Sequence, residues 1–293
     1  MNGSAFDTYC SRLHKVLEYI DAHIDDNLSL DRLSKVAAFS KYHFHRQFSE
    51  LFGISVYKYV QLTRLKRASY QLAFRNQIAI VDIALASGYE NHESFSRAFK
   101  KSIGQTPSEF REHPQWNPWH LIYEPLSDLR SKHMKPDHQP ETVKVILFPE
   151  TKVAVLEHCG DPNAIKNSIR KFIEWRQNHL PPHNSKTFNI LYNDLAETSP
   201  EDFRLDICAS TEWEVADNSF GVVEKIIPAG RCAVLRHIGN EANLGESITY
   251  FYSKWLPSST EELRDFPLFL QRVKFFPDVP EHEAVIDLFL PLK

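Results

Sequence analysis

LSLDRLSKVAAFSKYHFHRQFSELFGIS, residues 28–55, and IALASGYENHESFSRAFKKSIGQTPSEFR, residues 83–111, are two versions of one pattern. Leu33 matches Ile83, Phe39 matches Tyr89, Phe44 matches Phe95, Arg46 matches Arg97, Phe48 matches Phe99 and Gly53 matches Gly104. The offset grows from 50 to 51 between the first helix and the second, so the second turn is one residue longer. Each version reads as helix, tight turn, helix. In the first, Ser29 can cap the orphan N–H groups of a helix start, and Leu30, Leu33, Val36 and Ala37 recur at helical spacing. Ser40 begins the second helix, Phe44, Phe48, Leu51 and Phe52 share its inner face, and Gly53 ends it. In the second version Ile80, Ile83 and Ala84 point inward and Gly88 marks the turn. Phe95, Phe99 and Ile103 then form an inner face before Gly104. A helix carrying Leu13, Val16, Leu17, Ile20 and Ile24 precedes the pair, and one over residues 56–73 joins its halves at a fixed separation.

The outward faces carry the chemistry. At about 100° per residue, Tyr42, His45, Arg46 and Ser49 point away from the first aromatic stripe. Glu93, Ser96, Arg97 and Lys100 do so in the second version, with His92 at the helix start. These side chains can read base edges: arginine reads guanine, glutamate the cytosine amino group, and serine or histidine several partners. Lys41, Ser49, Lys58, Lys100 and Lys101 are expected on phosphates, where contacts position without specifying. A plain helical bundle has no reason to repeat its exposed side, so Arg46 and Arg97 at one repeat position favour double-stranded DNA as the partner.

These motifs resemble the DNA-binding domain of the AraC/XylS transcription regulators. The resemblance covers about residues 9–112 and includes RLKRASYQL at 64–72 and the run Phe-Ser-Arg-x-Phe-Lys-Lys, then Gly-x-Thr-Pro-x-x-Phe-Arg. It implies that two recognition helices enter successive major grooves, about 34 Å apart, so that one chain reads an asymmetric site as a monomer. It places base contacts on Tyr42, His45, Arg46, His92, Glu93, Ser96 and Arg97, and implies RNA polymerase as a further partner.

The chain has 293 residues, enough for two domains. Its net charge of −4 is uneven: residues 1–113 hold 15 basic and 12 acidic side chains, the remainder 19 and 26. The acidic remainder is a poor ligand for nucleic acid. No apolar run approaches the roughly 18 residues of a membrane span, and the polar start lacks a signal-peptide core. Cys10, Cys159, Cys208 and Cys232 show no metal or disulfide spacing, which fits a reducing cytoplasm. The expected organisation is a DNA-binding domain over 1–113, a proline-bearing linker over 114–140 and a second domain over 141–293. WNPWHLIYEPL, 116–126, is apolar enough to pack on a domain.

The second half repeats as well. Pro149 matches Pro228, Ala154 to Leu156 match Ala233 to Leu235, His158 matches His237, Gly160 matches Gly239, and Trp175 matches Trp255 one residue out of step. Each copy reads as two strands, a helix and two strands: apolar β-type runs at 153–158 and 232–237, helices at 164–178 and 244–256, later strands at 189–192, 204–209, 269–275 and 284–290. The fold class is therefore multidomain: an all-α double helix-turn-helix domain, then a pseudo-symmetric α+β domain with antiparallel strands and a groove where its copies meet. The matched His158 and His237 are expected to be structural. VAVLEHCG, IIPAGRCAVLRHIG and the closing FLPLK resemble the gyrase-inhibitor-like effector-binding domains, which implies a small-molecule effector.

Departures from that family qualify the chemistry. Pro162 and Glu241 stand where the family often has tyrosine, and Leu270 stands where it often has a pocket glutamate that meets cations or serves a hydrolase. Tyr192, Trp213, Trp255 and Phe269 are expected pocket walls, with Leu270 at the floor and Glu241 returning a charge to the groove. No phosphate loop, dinucleotide fingerprint or nucleophile elbow occurs, so no catalytic residue and no cofactor are assigned. His43 and His45 lie two apart on a helix and cannot share a metal, so no metal is assigned. Two other readings of the second half stay open: a small-molecule hydrolase, and a ligand-independent protein-interaction module.

Overall fold

The computed structural model describes residues 3–133, 143–179, 185–193 and 198–293. They fall into two compact units. One holds the described residues through His133 together with Phe276–Glu283; the other holds those from Val143 to Phe275 and Ala284–Lys293.

The first unit is helical. Its elements are α1 (Gly3–Ala22), α2 (Leu30–Val36), α3 (Lys41–Phe52), α4 (Val56–Phe74), α5 (Ile80–Ala86), α6 (His92–Ile103), α7 (Pro107–Glu112) and α8 (Trp116–His133). The α2–α3 and α5–α6 pairs are the two helix-turn-helix copies. The Ser29 hydroxyl accepts the Arg32 N–H at 3.3 Å, as expected of the cap. Ser40 occupies the N-cap of α3 in extended backbone, but its side chain makes no capping bond there. Gly53 and Gly104 close α3 and α6 in the left-handed conformation. The inner faces are the aromatic ones: Phe44, Phe48, Phe95 and Phe99 are fully buried. α4 begins with Ser55 accepting the Lys58 N–H at 3.2 Å and packs against elements of both copies, including α3 and α5. Its 19 residues make it a strut of about 28 Å, at 1.5 Å per residue.

The units depart from the expected boundaries in two places. First, most of the expected linker is α8. Its prolines invite a reading as loop, yet Trp116, Trp119, Tyr123, Leu126 and Leu129 recur at helical spacing and are all buried. Trp116 stacks on Phe74 at 5.7 Å and meets Phe110 edge-on at 5.3 Å. Pro125, inside the helix, removes one backbone hydrogen bond, and the buried aromatic area on this face outweighs that loss. The remainder of the expected linker, 134–140, lies outside the described residues. Second, Phe276–Glu283 belongs to the first unit, where Glu281 joins a buried charge network. Arg130, 1% exposed, bonds Asp21 at 2.5 Å and also Glu281, and Lys66 reaches Glu281 at 2.6 Å. Burial pushes the Asp21 carboxyl above its ordinary range despite Arg130. Burial acts on Glu281 in the same direction, but Lys66 and Arg130 together hold it below.

The second unit is one eight-stranded antiparallel sheet with two helices. Its elements are β1 (Lys144–Phe148), β2 (Thr151–Cys159), α9 (Ile165–His179), β3 (Thr187–Leu191), β4 (Arg204–Ser210), β5 (Val223–Ile227), β6 (Gly230–Ile238), α10 (Leu244–Tyr250), β7 (Phe269–Lys274) and β8 (Val285–Pro291). The strand order β1-β6-β8-β7-β3-β4-β2-β5 is symmetric about the β7–β3 seam, with β1 to β4 as one copy and β5 to β8 as the other. The first strand of each copy is exchanged: β1 pairs with β6, and β5 with β2. One sheet face brings together Phe148, Val153, Phe188, Cys208, Ile227, Cys232, Phe269 and Phe289, one from every strand, so the sheet must curl around them. The other face packs Phe172 and Trp175 of α9 over Ala154, Leu156 and Ile207. It packs Tyr250 and the following Phe251 over Leu235, Leu270 and Leu288. Both faces of β2 are covered, which is why Val153 to Leu156 are all buried without alternation. The helix expected to run to Leu256 does continue past α10, through a π-type turn at Phe251–Trp255.

The matched histidines are structural, as their repeat positions foretold. His158 Nδ1 lies 2.8 Å from the Ser168 hydroxyl and Nε2 3.1 Å from the Asp161 carbonyl. His237 does the same with Ser247 at 2.8 Å and the Asn240 carbonyl at 3.0 Å. Each ring ties the end of a strand, β2 or β6, to the start of the helix that follows it, and the carbonyl contact places the proton on Nε2.

Candidate nucleic-acid interface and effector groove

α3 and α6 turn the expected residues outward. Tyr42 is 82% exposed, the Arg46 side chain 85% exposed, and His45, His92, Glu93 and Arg97 are exposed as well. Ser96 is half-buried, its hydroxyl 3.3 Å from His92 Nε2, so these two side chains share one edge of α6. Arg46 pairs with Glu50 of its own helix at 4.0 Å, and such an exposed pair is weak enough to yield to a DNA contact. The His45 ring lies 6.2 Å from Tyr57, which links the edge of α3 to the first turn of α4.

Of the expected phosphate contacts, Lys41, Lys58, Lys100 and Lys101 are exposed, and Lys41 has a loose partner in Asp31 at 3.6 Å. Ser49 differs. Its hydroxyl donates to the His45 carbonyl at 3.0 Å, a local exposed bond that a phosphate contact would exchange.

Sequence reasoning quoted Arg64 but gave it no role. It lies on α4, where its guanidinium donates to the Ile24 carbonyl at 3.0 Å and the Asp26 carbonyl at 2.6 Å and stands against Gly88. It thus ties the α1–α2 connection to the turn of the second copy, beside an open cleft of about 600 Å³. The signal was Gly88 itself: a Cβ there would collide with the Arg64 guanidinium, and the backbone has φ +77°.

The six expected groove residues do not form one site. Phe269 and Leu270 are neighbours on β7 and point to opposite faces, Phe269 into the curl and Leu270 under α10. Tyr192 donates to Asp206 at 2.9 Å, and Asp206 also takes Lys225 at 2.7 Å. Burial, followed by the Asp206 contact, pushes the Tyr192 hydroxyl up to about 12. This cluster lies on the Phe269 side of the sheet, by the alternation of β4 through Cys208. Trp213 is 65% exposed beyond the end of β4. Only Leu270, Trp255 and Glu241 stand on the helix-bearing face, and Trp255 packs against the Leu270 cluster. Glu241 does not add a lone charge to the groove, because Arg272 of β7 binds it. Among the described residues, no group of three histidine, cysteine or acidic side chains could hold a metal ion.

Residues 141–293, just over half of the chain, match the family model of the GyrI-like small molecule binding domain. The chain belongs to the GyrI-like family. Ahead of this GyrI-like domain, residues 33–113 match a helix-turn-helix domain model of AraC type, which covers both copies described above. The two matches together make the GyrI-like chain a DNA-binding transcription regulator with a small-molecule binding domain. It is similar to the probable transcriptional regulator YgiV of Escherichia coli (strain K12), 35% identical over 152 residues, covering 51% of this chain and 95% of that protein. It is also similar to the right origin-binding protein of the same organism, 33% identical over 105 residues and 36% of each chain. A third relative is the uncharacterized HTH-type transcriptional regulator YbfP of Bacillus subtilis (strain 168), 36% identical over 103 residues and 35% of each chain.

Proposed function

We propose that this regulator reads an asymmetric DNA site as a single chain, with α3 and α6 in successive major grooves. The observation that carries the reading is the repeated outward face: Arg46 and Arg97 stand at one repeat position, each on a helix whose opposite side is buried phenylalanine. Tyr42, His45, Arg46, His92, Glu93, Ser96 and Arg97 are assigned to base edges, and Lys41, Ser49, Lys58, Lys100 and Lys101 to phosphates. RNA polymerase is the downstream partner and the cytoplasm the compartment; no helix among the described residues is long and apolar enough to cross a membrane. The second unit senses a small molecule, coupled to DNA affinity by about 1–3 kcal/mol. No catalysis is assigned, since Leu270 stands where the family often has its pocket carboxylate and the similar YgiV and YbfP are described as transcriptional regulators.

The test is a binding titration of the full chain on a selected site and on scrambled DNA at several salt concentrations. The expected result is specific binding tighter by about 10³-fold or more, with both affinities falling as salt rises. Equal affinity for the two DNAs would contradict base reading.

A further inference from the structure

β7 ends at Lys274 and β8 begins at Val285, and both belong to the second unit, yet Phe276–Glu283 between them belongs to the first. The matching connection of the other copy, from β3 to β4, stays at home: its described residues, 192–193 and 198–203, lie in the second unit. The repeat therefore does not need this connection to leave its unit. What Phe276–Glu283 meets is mostly one helix. The Phe276 ring lies 4.9 Å from the Tyr70 ring and 5.9 Å from Lys66 Nζ. Arg67 Nε donates to the Pro277 carbonyl at 3.4 Å, and Arg75 donates to Asp278 through Nε and Nη2, each at 2.6 Å. Glu281 takes Lys66 at 2.6 Å and Arg130 of α8 as well. Lys66, Arg67 and Tyr70 lie on α4, and Arg75 caps its C-terminus, so the segment grips this helix at separated points. Loops ordinarily run exposed over a surface. Here the Glu281 side chain is 10% exposed between two cations, and breaking such a pair would leave a buried charge uncompensated. The segment and α4 are thus bound to move together.

We propose that Phe276–Glu283 is a coupling strap: a shift of β7 or β8 is delivered through it to α4, the helix that spaces the two recognition helices. On the small-molecule reading of the second unit, on which this rests, the strap is the element that carries regulation to the DNA-reading helices. Its two tethers are short. Phe275 alone separates it from β7 and Ala284 alone from β8, and one residue spans at most about 3.6 Å, so neither strand moves far without taking the strap along. Ala284 is itself held, its carbonyl accepting the Gly239 N–H at 2.9 Å. Coupling is reciprocal, so DNA that loads α4 must in turn act on β7 and β8.

The test follows hydrogen exchange in β7 and β8 of the full chain, free and bound to DNA. It compares wild type, Asp278→Ala and a slack variant with Gly-Gly-Ser inserted after Phe275 and again after Glu283. DNA is the probe, so no effector is needed. In wild type, DNA should change exchange at the strand ends beside the strap by about fivefold or more. The slack variant keeps the strap's contacts with α4, so it should bind DNA as wild type does and lose the response in β7 and β8. Asp278→Ala removes one half-exposed pair and should weaken the response while the far-ultraviolet spectrum and melting profile show an intact fold. No response in DNA-bound wild type would overturn the proposal, as would a full response in the slack variant. If the insertions disturb the fold, Asp278→Ala decides alone, and an undiminished response there overturns it. Equal affinity for selected and scrambled DNA would contradict base reading and leave the exchange readout in force, because either DNA loads α4; the two claims therefore fail separately.

Discussion

The chain contains two duplications, and they keep different things. In the helix-turn-helix duplication, the matched polar residues Arg46 and Arg97 are exposed, and Arg46 has a weak pair to Glu50. In the sheet duplication, the matched polar residues His158 and His237 are buried and bonded alike to serine and to a main-chain carbonyl. On the proposed reading, identity between copies marks recognition in the first case, whereas in the second it marks architecture, and burial separates the two. Elsewhere the copies diverge, with Pro162 against Glu241, and the divergent residue meets Arg272.

The largest effect should come from breaking recognition in both copies at once. Arg46→Ala with Arg97→Ala should cost about 2–6 kcal/mol on the specific site, by addition of about 1–3 kcal/mol for each well-separated arginine. Thermal melting of the double variant should match wild type, because both side chains are solvated. A shared loss of stability would assign these residues to the fold.

Breaking the architectural pair should do the reverse. His237→Ala removes the bonds to the Ser247 hydroxyl and the Asn240 carbonyl that tie β6 to α10, at about 1–3 kcal/mol of stability. His158→Ala should cost a similar amount. DNA affinity of the folded protein should not change in either. Denaturant unfolding followed by a DNA titration checks both parts, and a DNA defect without a stability defect would reverse the assignment.

The two turns sharpen the comparison further. Ala38 holds φ +52° between α2 and α3, where the matched residue of the other copy is Gly88 at φ +77°. A left-handed alanine costs roughly 1–2 kcal/mol, so Ala38→Gly should stabilise by up to about 1 kcal/mol. Gly88→Ala should destabilise by more than that, since it also displaces Arg64 from the Ile24 and Asp26 carbonyls. Equal and opposite effects in chemical denaturation would show that Arg64 contributes nothing.

The smallest effect belongs to the phosphate contacts. Lys58→Ala or Lys100→Ala should weaken specific and random DNA alike and lower the salt slope by about one. A change in base preference would move that lysine into the reading set.

The helical unit was readable from its sequence because α3 and α6 each repeat phenylalanine four residues apart, and the two copies confirm each other's register. The same logic missed α8, where Pro118 and Pro125 signal a break louder than five spaced aromatic and leucine residues signal a helix. The groove was less readable for a different reason. Along β7, side chains alternate between faces, so Phe269 and Leu270 could not both line one pocket, and Arg272, the partner of Glu241, lies on Leu270's side. Which strand pairs with β7 cannot be read from β7 alone. Asn189 becomes a neighbour of Arg272 only because β3 pairs with β7 where the two copies meet. Glu281 is a similar case: its buried partners Arg130 and Lys66 come from helices far away in the chain.

The most direct test of the central claim, that each copy reads its own half of one site, is selection from a random DNA pool with wild type, Arg46→Ala and Arg97→Ala in parallel. The account predicts an asymmetric wild-type site with two blocks about one helical turn apart, and loss of preference in a different block for each variant. Loss in the same block for both variants, or a palindromic site with both blocks equally affected, would contradict it.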